Sequence, residues 1–193
     1  MTDALPPSAQ KVQEAAEALG LDIAVRVMTE PTHTAEEAAA ACGVTVGQIV
    51  KSLVFAGGES GQPYLLLVSG ANRVNEKGVA THLGEKLKQP DADAVRAFTG
   101  YAIGGIPPFG HVATVRVIMD PDLGRFETVW AAAGTSTAVF PVPPATLRTL
   151  ANAVVAPIAE ERRAADVEAE LESAAGVGGF VGDGRARPQN AGA

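Results

Sequence analysis

Ile49-Val50-Lys51-Ser52-Leu53-Val54-Phe55, followed after a short connection by Tyr64-Leu65-Leu66-Leu67-Val68-Ser69, is the stretch on which the reading of this 193-residue chain turns. Both runs are apolar and strand-length. Gly57, Gly58, Gly61 and Pro63 punctuate the link between them, which is the pattern of a β-hairpin. Residues two apart in a strand share a face, so Lys51 falls in a row with Ile49, Leu53 and Phe55, while Val50, Ser52 and Val54 face the other way. A lysine in an apolar row is costly unless its ammonium is paired or reaches a wet cavity. In a cavity it offers three donors and a point charge to a carboxylate, a phosphate or the carbonyl oxygen of an ester under attack. A strand-end lysine snorkelling to water fits the same row.

Upstream, residues 8–19 read as a helix with Ser8 as cap and Gly20 as stop, and residues 21–28 alternate as a strand does. Thr34-Ala35-Glu36-Glu37 is a capping box opening an Ala-rich helix that closes near Gly43. Thr45-Val46-Gly47-Gln48 repeats the signature over a shorter turn. Downstream, residues 75–83 and 91–98 read as helices, the second capped by Asp91. Strands are expected at 113–119, 128–133 and 137–142, and Pro143-Pro144 opens a helix at 145–155. This mixed order predicts an α+β fold with a mixed, largely antiparallel sheet, in one domain over residues 1–158. Residues 159–175 read as a charged helical extension, and 176–193, Gly/Ala/Arg-rich and aperiodic, as a disordered tail.

Composition narrows the function. Fifteen basic against 22 acidic residues give a net charge of −7, which argues against a duplex-binding surface and hence against DNA, but leaves room for a small pocket taking the tip of a nucleic acid. One cysteine, Cys42, makes no internal disulfide or Cys-rich zinc site. The separated histidines His33, His82 and His111 form no metal-spaced pair, so no metal is expected. No apolar run approaches the ~18 residues of a membrane span, and the acidic start lacks signal-peptide character. A soluble cytoplasmic protein is the expectation.

Two further segments carry possible chemistry. In Gly100-Tyr101-Ala102-Ile103-Gly104-Gly105-Ile106-Pro107-Pro108-Phe109-Gly110-His111, glycines open unusual backbone conformations and prolines stiffen the bend. Its N–H groups could converge on an anion or a polarised carbonyl, or the segment is an ordinary turn between helix and strand. Its spacing matches neither dinucleotide nor phosphate-loop fingerprints. The second segment, Ala131-Ala132-Ala133-Gly134-Thr135-Ser136-Thr137, has small residues that admit a ligand or a neighbouring strand, and two adjacent hydroxyls. There is no Gly-x-Ser-x-Gly, so a serine-hydrolase triad has little support. Cys42 reads as a small buried residue. His33 precedes the Thr34 cap and is placed to line a pocket mouth; His111 follows the glycine-rich loop.

Taken together and in order, these segments resemble the YbaK/ProX-type aminoacyl-tRNA deacylases, the prolyl-tRNA-synthetase-associated editing domains. The resemblance is carried by Thr34 to Ala39, Gln48 to Phe55, Gly100 to Gly110, Asp120-Pro121 and Val129 to Gly134, and spans about residues 8–150. It implies a partly closed β-sheet or barrel surrounded by helices, and hydrolysis of mischarged aminoacyl-tRNA without cofactor, metal or protein nucleophile. Lys51 matches the family's essential lysine, which holds the substrate near the reacting ester. Gly104, Gly105, Ile106, Pro107 and Pro108 match the loop that contacts the aminoacyl moiety, and Gly110, His111, Gly134, Thr135 and His33 are expected around it as substrate-binding residues. The chain has Ala132 where the branch that clears Cys-tRNA(Pro) tends to have Ser, and Thr135-Ser136 where that branch has basic residues. The implied partner is the 3′ end of an aminoacyl-tRNA, tRNA(Pro) by the resemblance, with prolyl-tRNA synthetase as a further partner. A non-catalytic aminoacyl- or synthetase-binding module of the same fold is the alternative.

Overall fold

A computed structural model describes residues 4–177. Helix α1 (Pro7–Ala18) starts on a proline, whose fixed φ suits a first helical position, and sinks Ala9, Val12 and Ala16 into the core. The cap is Pro6, so Ser8 lies inside the first turn and not at the expected capping position. In the alternating run that follows, Ile23 is buried, yet only β1 (Arg26–Val27) pairs with another strand. The box at Thr34 forms: its hydroxyl accepts from the Glu37 amide at 3.1 Å, and the Glu37 carboxylate accepts from the Thr34 and His33 amides at 3.3 and 2.7 Å. It opens α2 (Ala35–Cys42), which Gly43 closes in the left-handed conformation. A 3-10 turn, Val46–Gln48, then delivers the chain into the hairpin.

Strand β2 (Val50–Gly57) pairs antiparallel with β3 (Pro63–Ser69), Lys51 opposite Val68. Helix α3 (Glu76–Leu83), the two-residue β4 (Leu87–Lys88) and α4 (Ala92–Thr99) make a crossover that returns as β5 (Arg116–Met119), parallel to β3. A second 3-10 turn, Pro121–Arg125, leads to β6 (Val129–Ala132), β7 (Ala138–Val142) and α5 (Pro144–Leu150). The helix expected over 145–155 stops early. Asn152 adopts a positive φ of 46°, and Val154–Val155 become β8, parallel to β5. The extension is helical only from Ala164, as α6 (Ala164–Val177); before it, Ala159 bridges back to Val74. The tail expected over 176–193 lies outside the described residues from 178 onward.

The strands form two sheets, ordered β4-β2-β3-β5-β8 and β1-β7-β6. The α+β class and the mixed, largely antiparallel pairing agree with expectation. Closure goes no further than one parallel bridge, Ile49 to Trp130, so among the described residues the strands make no barrel. One face of the hairpin (Val50, Leu65, Leu67) packs with Phe109 and Phe140, whose rings meet edge-on at 5.8 Å. The other (Phe55, Tyr64, Leu66, Val68) packs with Val79 of α3. Where the sheets meet, Ala38, Ala39, Ile49, Trp130 and Val139 form a third cluster under α2.

Candidate functional site

Beyond the Ile49 bridge, β2 and β6 part. β4 reaches only Ala56 and Gly57 of β2, so among the described residues the outer edge of β2 between these two contacts has no strand beside it. A cleft of about 360 Å³ runs along this edge. Its floor is Val50 to Leu53, and one wall is built from methyl and aromatic groups: Ala35, Ala38, Trp130, Ala132 and Val139. Ile103, Gly104 and Ile106 close one side, Thr135 and Ser136 another, and Thr32 to Thr34 stand at the mouth.

Lys51 is half-buried and its ammonium donates to the backbone carbonyl of Asn72. Partial removal from water pulls its pKa below the ordinary lysine value; Glu36 and Asp120 oppose that pull and Arg73 adds to it. Of the described residues lining the cleft none is an aspartate or glutamate. Beside Lys51, the Ser52 hydroxyl is buried and is the one buried side-chain polar atom without a partner among the described residues.

The glycine-rich loop sits here because two turns interlock. Gly134 donates to the Gly105 carbonyl at 2.9 Å, and a Cβ on Gly105 would fall 2.6 Å from Cα of Thr135, so only glycine permits this approach. Gly104 adopts φ 92°, turning the chain into the cleft. The Gly105 amide is used within the loop, donating to Ala102 at 3.1 Å. The mouth is tied down by the Thr32 amide, which donates to the Ser136 carbonyl at 3.1 Å.

Of the residues singled out in the sequence, Lys51, His33, Gly104, Ile106 and Thr135 line this one cleft. The others stand behind it. Pro107 and Pro108 are buried backing, and the His111 ring meets the Pro107 carbonyl at 2.7 Å, bracing the loop from within. Burial pushes the His111 pKa below the usual histidine value, the Pro107 carbonyl partly offsetting this. Gly110 and Gly134 face α1: added Cβ atoms would stand 3.0 Å from Cβ of Ala15 and 2.4 Å from the carbonyl of Ser8. Their need for glycine thus combines a helix contact with positive φ values of 75° and 89°. Sequence reasoning passed over Trp130, which walls the cleft, and Asn72, whose carbonyl holds the lysine. The signal for Asn72 was an amide side chain just after a strand of apolar residues, with Asp120 and Asp122 ending a neighbouring one. Among the described residues no His/Cys/Asp/Glu cluster could hold a metal, and no helix is long and apolar enough to cross a membrane.

Comparison with known proteins places this geometry. Residues 29–150 match the family model of the aminoacyl-tRNA editing domain. A structure solved for a candidate trans-editing enzyme for prolyl-tRNA synthetase superposes with a TM-score of 0.78 at 45% identity, covering 82% of this chain and 100% of that one. The protein YwhH of Bacillus subtilis is 34% identical over 111 residues, 58% of this chain and 70% of YwhH. The proline–tRNA ligase of Limosilactobacillus fermentum is 34% identical over 99 residues; this stretch is 49% of this chain but only 17% of the ligase.

Proposed function

We propose, from the premise that the chain belongs to the aminoacyl-tRNA editing domain family, that the cleft along β2 is where it hydrolyses a mischarged tRNA. As a member of that family the chain is an aminoacyl-tRNA deacylase, an ester hydrolase. The finer reading is ours: a small amino acid esterified to the 3′ end of tRNA(Pro), cleared in trans, with Lys51 as the residue that holds the ester. The observation that supports it is the convergence of Lys51, the bend at Gly104 to Ile106 and the Thr135-Ser136 turn on one small cleft.

In this reading water attacks the ester carbonyl. The Lys51 ammonium stabilises charge at the carbonyl oxygen or at a neighbouring phosphate, and partial burial strengthens that interaction relative to water. The wall of Ala35, Ala38, Ala132 and Val139 limits the acyl group by shape, while Gly104 and Ile106 set the opposite limit. One methylene of size difference is worth only about 1–3 kcal/mol in such a pocket, so the chemistry suits a second check on a synthetase's product. Deacylation of Cys-, Ala-, Ser- and Pro-tRNA(Pro) by the purified chain is the test. Turnover of a small non-cognate ester, with Pro-tRNA(Pro) spared and the rate falling with salt, is expected. Binding without turnover of any of the four would replace the deacylase with a recognition module.

A further inference from the structure

The family match ends at residue 150, yet the chain beyond it reaches the lysine through two residues. Asn72, whose carbonyl receives the Lys51 ammonium, is 1% exposed and fully engaged. Its amide nitrogen donates to Asp120 at 2.7 Å and to Asp122 at 2.9 Å. Its side-chain oxygen accepts from the Arg162 guanidinium at 3.2 Å. Arg162 is itself held by Glu170 of α6 at 2.9 Å, and the second oxygen of Glu170 accepts from the Gly47 amide at 2.5 Å. Gly47 lies in the 3-10 turn that feeds β2, and a Cβ there would overlap the Glu170 carboxylate at 2.4 Å. The Gly47 carbonyl in turn accepts from Ser69 at 2.8 Å, and Ser69 donates its amide to Asp120 at 3.2 Å. The loop is therefore closed: α6, the start of β2, the end of β3 and Asn72 share one set of hydrogen bonds.

Between and beside these polar contacts α6 is loosely seated. Gaps of about 610 and 570 Å³ flank it, lined on one side by Pro121, Arg162 and Val167 and on the other by Val44, Phe126 and Ala174. Leu171 and Ala174 are the residues by which it touches the main core. The attachment of this extension thus leans on Arg162 and Glu170, the pair that meets Asn72 and Gly47.

We propose that Arg162, steadied by Glu170, is a positioning residue for Lys51: it fixes the Asn72 carboxamide, and through it the carbonyl on which the ammonium rests, so that the C-terminal extension is part of the deacylase machinery. The inference rests on the role given to Lys51 above. An ammonium held by one fixed acceptor presents its other two donors in a fixed direction; without Arg162 the Asn72 side chain keeps only its contacts to Asp120 and Asp122, its backbone carbonyl is held less firmly, and the reactive orientation of the ammonium is a smaller fraction of its states.

The test uses the full chain with Arg162→Ala, Arg162→Lys and Glu170→Gln, measuring deacylation of a mischarged tRNA(Pro) and the side-chain NMR resonance of Lys51. R162A is expected to lower kcat about tenfold, the rate equivalent of ~1.4 kcal/mol, with KM within about twofold. The Lys51 resonance should move in R162A and return toward the wild-type position in R162K, which a merely structural role would not produce. E170Q should shift both readouts the same way by less. Unchanged kcat and an unmoved Lys51 resonance in folded R162A would overturn the proposal; if R162A does not fold, the same result in E170Q does so. A fully active Lys51→Ala variant would instead defeat the functional reading while the resonance still reports whether Arg162 positions the lysine.

Discussion

Replacing Lys51 by methionine removes the ammonium and keeps an unbranched stem of similar length. Two effects follow in the folded protein, and they oppose each other. The carbonyl of Asn72, a residue only 1% exposed, loses its donor, which costs about 1–3 kcal/mol. Against this, a half-buried charge is no longer held partly out of water, the cause of its lowered pKa. The net change in stability is expected within ~1 kcal/mol, or about 2–4 °C in Tm for a chain of this size. Activity should change far more, because a preorganised charged donor aimed at a developing oxyanion is worth roughly 10²–10³ in rate. The rate loss is thus equivalent to about 2.7–4 kcal/mol against ~1 kcal/mol of stability, and single-turnover deacylation with a parallel melting curve reads both. The pH dependence adds a sign. Since the folded-state pKa lies below 10.5, wild-type activity should fall on an alkaline limb beginning below the ordinary lysine range, after subtraction of spontaneous ester hydrolysis. The unfolded chain binds more protons between the lowered value and 10.5, so wild type gains stability over K51M as pH climbs through that interval. A K51M variant within threefold of wild-type rate would remove the ammonium from the reaction, as would a wild-type profile flat through the alkaline range.

Other expectations follow from the supporting structure. Gly134→Ala places a Cβ 2.4 Å from the Ser8 carbonyl at a φ of 89°, so it should cost at least ~2 kcal/mol in urea unfolding by prying α1 from the turn. His111→Gln removes a buried ring whose folded pKa is depressed. Wild type should lose stability relative to the variant as pH falls below the ordinary ~6.5, levelling once the lowered folded value is passed. Glu85 accepts from Ser60, Glu59 and Tyr64, and its pKa is lowered to about 2. Its support of the hairpin connection should be complete above pH 4.5 and fade toward pH 2, and Glu85→Gln should abolish that acid dependence in a melting series.

The hairpin and both helix-opening boxes were legible because their signals are local: apolar runs of strand length, Gly/Pro punctuation, and a hydroxyl three residues ahead of Glu37 or Gln48. The partial failure at residues 21–28 has a physical reason. Alternation reports which side chains are buried, and Ile23 is, but whether the backbone meets a partner depends on where β7 runs. At 150–155 the helical reading overlooked Asn152, a residue type that tolerates positive φ and here ends the helix in time for β8 to join β5. Within the site, Lys51 and the bend at Gly104 were visible as exceptions to local rules, a charge in an apolar row and a cluster of conformationally free residues. Asn72 and Arg162 break no local rule. They matter through partners 48 and 90 residues away, at separations no window along the chain spans.

The lone bridge between Ile49 and Trp130 leaves the two sheets joined like the blades of shears at a rivet. The larger blade carries the lysine, and the smaller carries the Thr135-Ser136 turn and the Trp130, Ala132, Ala138 and Val139 part of the lining. Exchanging residues on the smaller blade alters the gape of the opening without disturbing the five-strand ladder that carries Lys51. On the proposed reading of the cleft, a scaffold so divided lets selection retune which acyl groups are admitted while Lys51 stays put.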